Sequence, residues 1–170
     1  MVACAPMEPP QTRRRRLGSS PLCRGLTEAE LDEILLIAED RVVLKGDYVF
    51  SQGDLADAMF FIGRGRVQIT KDTQVLASLG IGEVLGEMSL FGGGHKRSAS
   101  AKAETEMLVV RLPSRAFRKL LDVWNVAAMK IVCNLTEQIT ERMVSLNEKL
   151  IAATKANKPD AKPPVQMWRL

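Results

Sequence analysis

Two residues ten positions apart carry the chemistry of this sequence: Glu87, in the run LGEMSLF, and Arg97, in HKRSAS, with Gly92, Gly93 and Gly94 between them. A guanidinium is a permanently charged, forked donor suited to phosphate oxygens, and Ser98 beside it adds a hydroxyl. Ala99 leaves room for close approach. Gly86 precedes a short run of helix formers whose first turn would present unpaired backbone N–H groups to an anion. One guanidinium, one hydroxyl and a few amides suit a single diffuse negative charge. A triphosphate would call for a G-x-x-x-x-G-K-[ST] loop and a metal ligand, and that pattern does not occur. The Glu87 carboxylate would repel an anion unless it faces a hydroxylated part of the same ligand, where it can accept hydrogen bonds from a sugar. An anion and a diol on one small molecule describe a ribose phosphate. Singly, each residue has a plainer reading, Glu87 as a first-turn helix acid and Arg97 as a strand-edge surface charge. Their joint spacing favours the ligand site.

Other chemistries lack their residues. Ser89, Ser98 and Ser100 have no histidine partner except His95, the one histidine in the chain, which reads as a solvated loop residue. No paired carboxylates or metal-ligand spacing occur, so neither catalysis, nor a resident cofactor, nor a metal is expected. Cys4, Cys23 and Cys133 are odd in number and scattered, which argues against a disulfide framework and for reduced thiols. Cys133 is expected to be a small packing residue on the apolar side of a long helix, and Met129 and Met143 core or lid contacts.

The elements that must hold these residues are legible in the hydrophobic period. LTEAELDEILLIAE opens with Thr27, has Glu30 three residues on and sets Leu31, Ile34, Leu35 and Ala38 on one face, a capping box leading into an amphipathic helix. From Arg41 the period shortens to two. RVVLKGDYVFSQGD, AMFFIGRGRVQITKD, VLASLGIGEVLGE and RSASAKAETEMLVVRL together supply about eight short strands with glycine at most turns. The fold class expected is α+β: an antiparallel, jelly-roll-like β-roll over about 40–112 with an N-terminal helix and C-terminal helices over about 113–155. Pro113 suits the first turn of the helix SRAFRKLLD. Beyond it, Val132, Leu135, Ile139, Met143, Leu146 and Leu150 step by 3, 4, 4, 3 and 4, a mean of 3.6, which predicts one long helix with a continuous apolar stripe. That stripe exceeds what a small roll covers, so its distal half is expected to pair with a second copy of the chain as a homodimer.

The chain of 170 residues, 46% hydrophobic and 26% charged, has no apolar run near the roughly 20 residues a membrane span needs, and reads as one soluble domain with tails. An arginine cluster without an apolar stretch after it is no secretory signal, and a cytoplasmic location is expected. The net charge of +4 belongs to the two ends: Arg13 to Arg16 on one side, Lys155, Lys158, Lys162 and Arg169 on the other. Both ends contain prolines and read as solvated, disordered tails, over 1–20 and 156–170, with the domain between them over 21–155. An alternative role for the arginine cluster is nonspecific binding at an anionic surface.

The run GEMSLFGGGHKRSASAKA resembles the phosphate-binding cassette of the cyclic-nucleotide-binding domains. The likeness extends from LTEAELDEIL through GDYVFSQGD, MFFIGRGRVQI and LGIGEVLGEMSLF to FRKLLD, in order. The resemblance implies a ligand set of Gly86, Glu87, Met88, Arg97, Ser98 and Ala99. Glu87 would take the ribose 2′-OH, while Arg97, Ser98 and the N–H groups of Gly86, Glu87 and Ala99 would take the cyclic phosphate. Ile69, Leu76 and Val84 would line the apolar side. The family's base-capping positions fall on Arg142 and Met143, with Thr140 the nearest hydroxyl. These depart from the Thr-Ser pair of the catabolite activators, which leaves the base open; cAMP is the ligand expected from the resemblance, with cGMP the alternative. The last residues after the long helix are too few for the DNA-binding domain of the family's transcription factors, so no sequence-specific DNA binding is expected. The chain then reads as a sensor that passes a helix rearrangement to an effector protein. The competing reading keeps the fold without the ligand, as a dimerisation or protein-interaction domain.

Overall fold

The computed structural model describes residues 10–91 and 96–156. The element order is α1 (Pro10–Gly18), a 3-10 turn (Pro21–Cys23), α2 (Glu28–Ile37), β1 (Glu39–Val43), β2 (Tyr48–Phe50), β3 (Ala58–Arg64), β4 (Val67–Lys71), β5 (Gln74–Leu79) and β6 (Val84–Leu85). After these come α3 (Met88–Phe91), β7 (Ser100–Ala103), β8 (Met107–Pro113), α4 (Ser114–Asp122) and α5 (Val126–Ala156). The chain divides into two compact units, residues 1–134 and 135–170, with the boundary inside α5.

The first unit contains two four-stranded antiparallel sheets, in the orders β1-β8-β3-β6 and β2-β7-β4-β5. This is the antiparallel roll that the period-two pattern predicts, with helices before and after it. Alternation decides which side chains meet between the sheets: Ala58, Phe60 and Ile62 of β3 join Val67, Leu79, Leu85, Ala101, Ala103, Met107 and Val109 in one buried cluster. Residues 58–62 of β3 are buried on both faces, so one face lines the roll and the other lies under covering segments. The β3–β4 turn depends on Gly65, at φ +92, where a Cβ would overlap the carbonyl of Glu106.

At the start of α2 the expected capping box is present: the Thr27 side chain accepts from Glu30 N, and the Glu30 carboxylate accepts from Thr27 N. Glu30 also pairs with Lys130 of α5 at 2.8 Å, and Lys130 donates to Gly25 O at 3.0 Å. Asn134 is buried and donates to Leu22 O and Arg24 O, both at 2.9 Å. These bonds tie the first turns of α5 to the segment before α2.

The expectation of a disordered tail over 1–20 is corrected for its second half. Residues 10–18 form α1, and Leu17 is fully buried. Arg13 pairs with Asp40 at 3.1 Å and donates to Ala38 O; Arg14 pairs with Asp32 at 2.6 Å. A cluster that looks like a solvated charge run in sequence thus has two of its four arginines, Arg13 and Arg14, paired with carboxylates on β1 and α2. Those partners lie about twenty residues or more downstream, and no local pattern reveals them. Residues 1–9 and 157–170 lie outside the described residues, as do Gly92, Gly93, Gly94 and His95.

In the second unit α5 continues as an unbroken helix to Ala156. Val132, at the end of the first unit, and Ile139 are half-buried and Leu135 is buried, while Met143, Leu146 and Leu150 are exposed. Cys133 corrects a second expectation. It is exposed, because it lies between the buried positions Ile131 and Asn134 and points off the packed face. No helix among the described residues is long and apolar enough to cross a membrane.

Candidate functional site

Gly86 forms the corner between β6 and α3, at φ +73. A Cβ there would overlap Arg97 Nη1 and come within 3.3 Å of Ala58 O, so this corner requires glycine for its backbone and for the space it leaves. Ser89 N then donates to Gly86 O and Leu90 N to Glu87 O, at 3.1 and 3.0 Å, which closes the short turn of α3.

Arg97 enters the same place from the other end of the cassette. Its backbone is pinned to the β2–β3 loop, with Arg97 N donating to Asp54 O at 2.8 Å and Gly53 N to Arg97 O at 2.9 Å. The residue is only 5% exposed. Its Cζ lies 4.2 Å from the ring centroid of Phe50 and 5.5 Å from that of Phe60, so two aromatic faces hold the cation. Nη2 donates to Ala58 O at 2.8 Å and Nη1 to Gly86 O at 3.4 Å; Nε is buried with no hydrogen-bond partner. Burial pushes the guanidinium's pKa down, while the charges of Asp57, Asp54 and Glu87 pull it back up. Arginine stays ionised under such conditions, so the cost of its burial must be met by those carboxylates and by the aromatic faces.

Asp57 organises the charges behind Arg97. Its carboxylate stands 3.6 Å from Arg97 Nη2 and 2.5 Å from Arg111 Nη2, and Arg111 Nη1 in turn donates to Glu39 at 2.9 Å. An alternating row of charges therefore runs Glu39, Arg111, Asp57, Arg97. It holds Arg97 at a fixed place beside the cassette, with Arg111 behind it bridging Asp57 and Glu39.

The structure brings several expected residues to this corner and leaves others elsewhere. Gly86 and Arg97 are in contact, and Glu87, half-buried, lies within electrostatic reach of Arg97. Met88 is exposed, Ser98 exposed and Ala99 half-buried. Val84 is buried on β6 and pairs with Phe61; Ile69 is half-buried against the core and pairs with Ala77 and Ala101. Leu76 is 54% exposed, like the rest of β5 up to Ser78, and the β4–β5 pairing passes from Ala77 to Val75 across an irregularity that skips it. Arg142, Met143 and Thr140 are on the second unit, along α5; Met143 is exposed, and the Thr140 hydroxyl donates to Thr136 O at 2.8 Å. Reasoning from sequence missed Phe50, Asp57 and the carbonyl of Ala58. Phe50 alternates like any strand residue and Asp57 reads as turn chemistry, so only the folded contact with Arg97 distinguishes them. Among the described residues, no cluster of His, Cys, Asp and Glu could hold a metal ion.

Comparison with known proteins assigns the roll that carries this corner to a family. Residues 40–123 match the family model described as "Cyclic nucleotide-binding domain". The cyclic AMP receptor protein of Thermus thermophilus is 40% identical over 98 residues, covering 54% of this chain and 45% of that protein. Glutaminase 1 of Bradyrhizobium diazoefficiens is 32% identical over 135 residues, covering 79% of this chain but 22% of that protein. The crystal structure of the Thermus thermophilus catabolite activator protein superimposes with a TM-score of 0.66 at 31% identity, covering 79% of this chain and 63% of that one. The chain thus spans less than half the length of these two curated relatives. With the roll, the helices around it and the family match in agreement, residues 40–123 belong to the cyclic nucleotide-binding domain family.

Proposed function

We propose that the chain is a non-catalytic receptor module for a cyclic mononucleotide, with cAMP the first candidate and cGMP the second, acting in the cytoplasm. The observation that carries this reading is Arg97: a guanidinium 5% exposed, with an unpaired buried Nε, set at a glycine corner beside a carboxylate. An unpaired buried donor in a native fold calls for a reason, and a phosphate that enters the corner supplies one. Arg97 and Ser98 take the cyclic phosphate with the amides of Gly86, Glu87 and Ala99, and Glu87 accepts from the ribose 2′-OH beside Met88. Ile69, Leu76 and Val84 form the apolar wall, and Arg142, Met143 and Thr140 of α5 are the candidates to cap the base. The 40% identity to a protein named for cyclic AMP supports cAMP as the first ligand to test.

The signal is a shift of α4 and α5 between two arrangements, read by an effector protein or a second copy. Turning such an equilibrium from mostly open to mostly closed takes a differential affinity of about 5.5 kcal/mol. The exposed Met143, Leu146 and Leu150 of α5 support a homodimer through this helix. No sequence-specific DNA binding forms part of this reading. Isothermal calorimetry and thermal shift with cAMP and cGMP test the proposal, with Arg97→Ala as the control. Loss of one charge-assisted contact set lowers affinity by about 2 kcal/mol, roughly 30-fold. Equal binding by Arg97→Ala and wild type refutes the site.

A second reading, a dimerisation or interaction domain that binds no nucleotide, is favoured by the hydrogen bonds Arg97 makes to its own chain at Ala58 and Gly86. It predicts no thermal shift with any cyclic mononucleotide.

A further inference from the structure

We propose that the buried hydroxyl pair Ser89–Ser114 is the link that carries the state of Arg97 to α4, which makes these two serines positioning residues for the C-terminal helices. The inference rests on the cyclic-nucleotide reading above and assigns a regulatory path within the same site. Ser89 lies in α3 and Ser114 begins α4; their residues are 1% and 8% exposed, and Ser114 Oγ donates to Ser89 Oγ at 2.8 Å. Neither side-chain hydroxyl has a described hydrogen bond to the expected ligand set; Ser89 reaches it through its backbone, where its N–H donates to Gly86 O.

Their other bonds close a ring. Ser89 N donates to Gly86 O at 3.1 Å, the same carbonyl that accepts from Arg97 Nη1 at 3.4 Å. Ser114 N donates to Asp57 O at 2.8 Å, and the Asp57 carboxylate stands 3.6 Å from Arg97 Nη2. Arg97, Gly86, Ser89, Ser114 and Asp57 therefore form one closed polar circuit. Arg118 of α4 adds a second tie to α3, donating to Leu90 O at 3.1 Å.

A ligand shifts an equilibrium only through interactions that differ between its two states. A phosphate that engages Arg97 competes with Gly86 O and with Asp57 for the same donors, which changes two members of the ring at once. The hydroxyl pair sits in dry surroundings, where an unmade hydrogen bond is costly, so α4 must follow the displacement of α3 or lose that bond. Arg97 has no hydrogen bond to α4 among those described, and Ser89–Ser114 is the side-chain bond that bridges the cassette helix to the first turn of α4.

Trp124 makes the motion measurable. It stands in the turn after α4, 78% exposed and at φ 57, and after Trp168→Phe it is the one remaining indole of the two in the chain. The experiment titrates cAMP, and separately cGMP, into the Trp168→Phe chain and its Ser89→Ala, Ser114→Ala and double variants. Calorimetry reads affinity and Trp124 emission reads α4. Each single variant leaves one buried hydroxyl unpaired, while the double variant removes both partners and keeps the fold, which a melting curve checks. The double variant is expected to bind within about threefold of the parent while the equilibrium between the two arrangements of α4 at saturation, read from Trp124 emission, moves back toward the unliganded one by roughly fivefold, the equivalent of one hydrogen bond. Ser114→Ala alone is expected to lose the emission change in the same direction. A double variant with the parent's full emission change overturns the inference. So does a loss of affinity in proportion to the loss of signal, which would make the serines plain framework. Binding in the parent without any emission change overturns it as well, leaving the receptor reading intact. No heat in the parent with either nucleotide overturns the receptor reading itself, and the inference with it.

Discussion

Replacing Gly86 by alanine puts two separate demands on the cassette. The first is conformational: at φ +73 an L-residue pays about 1–2 kcal/mol that glycine avoids. The second is steric, because the new Cβ overlaps Arg97 Nη1 and approaches Arg97 Cζ to 3.4 Å and Ala58 O to 3.3 Å. Backbone on one side and a pinned guanidinium on the other leave Arg97 as the group that moves. It then loses its bonds to Gly86 O and Ala58 O, worth about 1–2 kcal/mol together for a charged donor. The expected loss is about 2–4 kcal/mol, or roughly 5–15 °C in melting temperature for a chain of this size. Gly80→Ala is the control: nothing lies within 4 Å of its Cβ and its φ is not positive, so it should cost under about 1 kcal/mol. Urea and thermal unfolding of Gly86→Ala, Gly80→Ala, Arg97→Ala and Gly86→Ala/Arg97→Ala measure the terms separately. With Arg97 gone the overlap with its guanidinium vanishes, while the conformational term and the 3.3 Å approach to Ala58 O remain, so the double cycle must be non-additive. Additive losses, or a Gly86→Ala chain as stable as Gly80→Ala, refute the geometry assigned to this corner.

Asn134→Ala strips the buried carbonyl of Leu22 and the part-buried carbonyl of Arg24 of their donor and should destabilise the chain by about 1–3 kcal/mol in urea unfolding. Thr27→Ala removes the cap of α2 and should cost about 1 kcal/mol, read in the same way. The hydrogen bonds to Glu30 from Lys130 and from Thr27 N hold its carboxyl below the ordinary value of 4.5. A depressed folded pKa stabilises above the unfolded value and loses that contribution as pH falls through the folded one. The stability gap between wild type and Glu30→Gln should therefore be full at neutral pH and close on acidification below about 4.5; a gap that widens in acid refutes the pairing. Burial pushes the Cys23 thiol up to about 12, whereas Cys133 is exposed. In a Cys4→Ser chain, a thiol reagent near pH 8 should label Cys133 promptly and Cys23 only on unfolding; equal labelling in the native state refutes the burial.

Much of this protein was decided by sequence alone, wherever the determining interaction is local. A period of two against a period of 3.6 separates the β-roll from α5, and Thr27 with Glu30 marks the start of α2, because these patterns follow from backbone geometry within one turn or one pleat. The glycine corner at Gly86 was legible too, as was the placing of Glu87 and Arg97 within electrostatic reach of one another, since both depend on residue types at a fixed short separation. What the tertiary structure decided are contacts between residues far apart in the chain. Arg13 and Arg14 read as a solvated charge run, and Asp40 and Asp32 make them part of the fold. Cys133 reads as a packing residue on an apolar stripe, yet the rotation of α5 at that turn turns it outward. Phe50, Asp57 and Ala58 meet around Arg97, and Ser89 and Ser114 bond to each other behind that corner. No spacing announces that meeting, because the energy of each contact is realised only once the sheets have closed and water has left the corner.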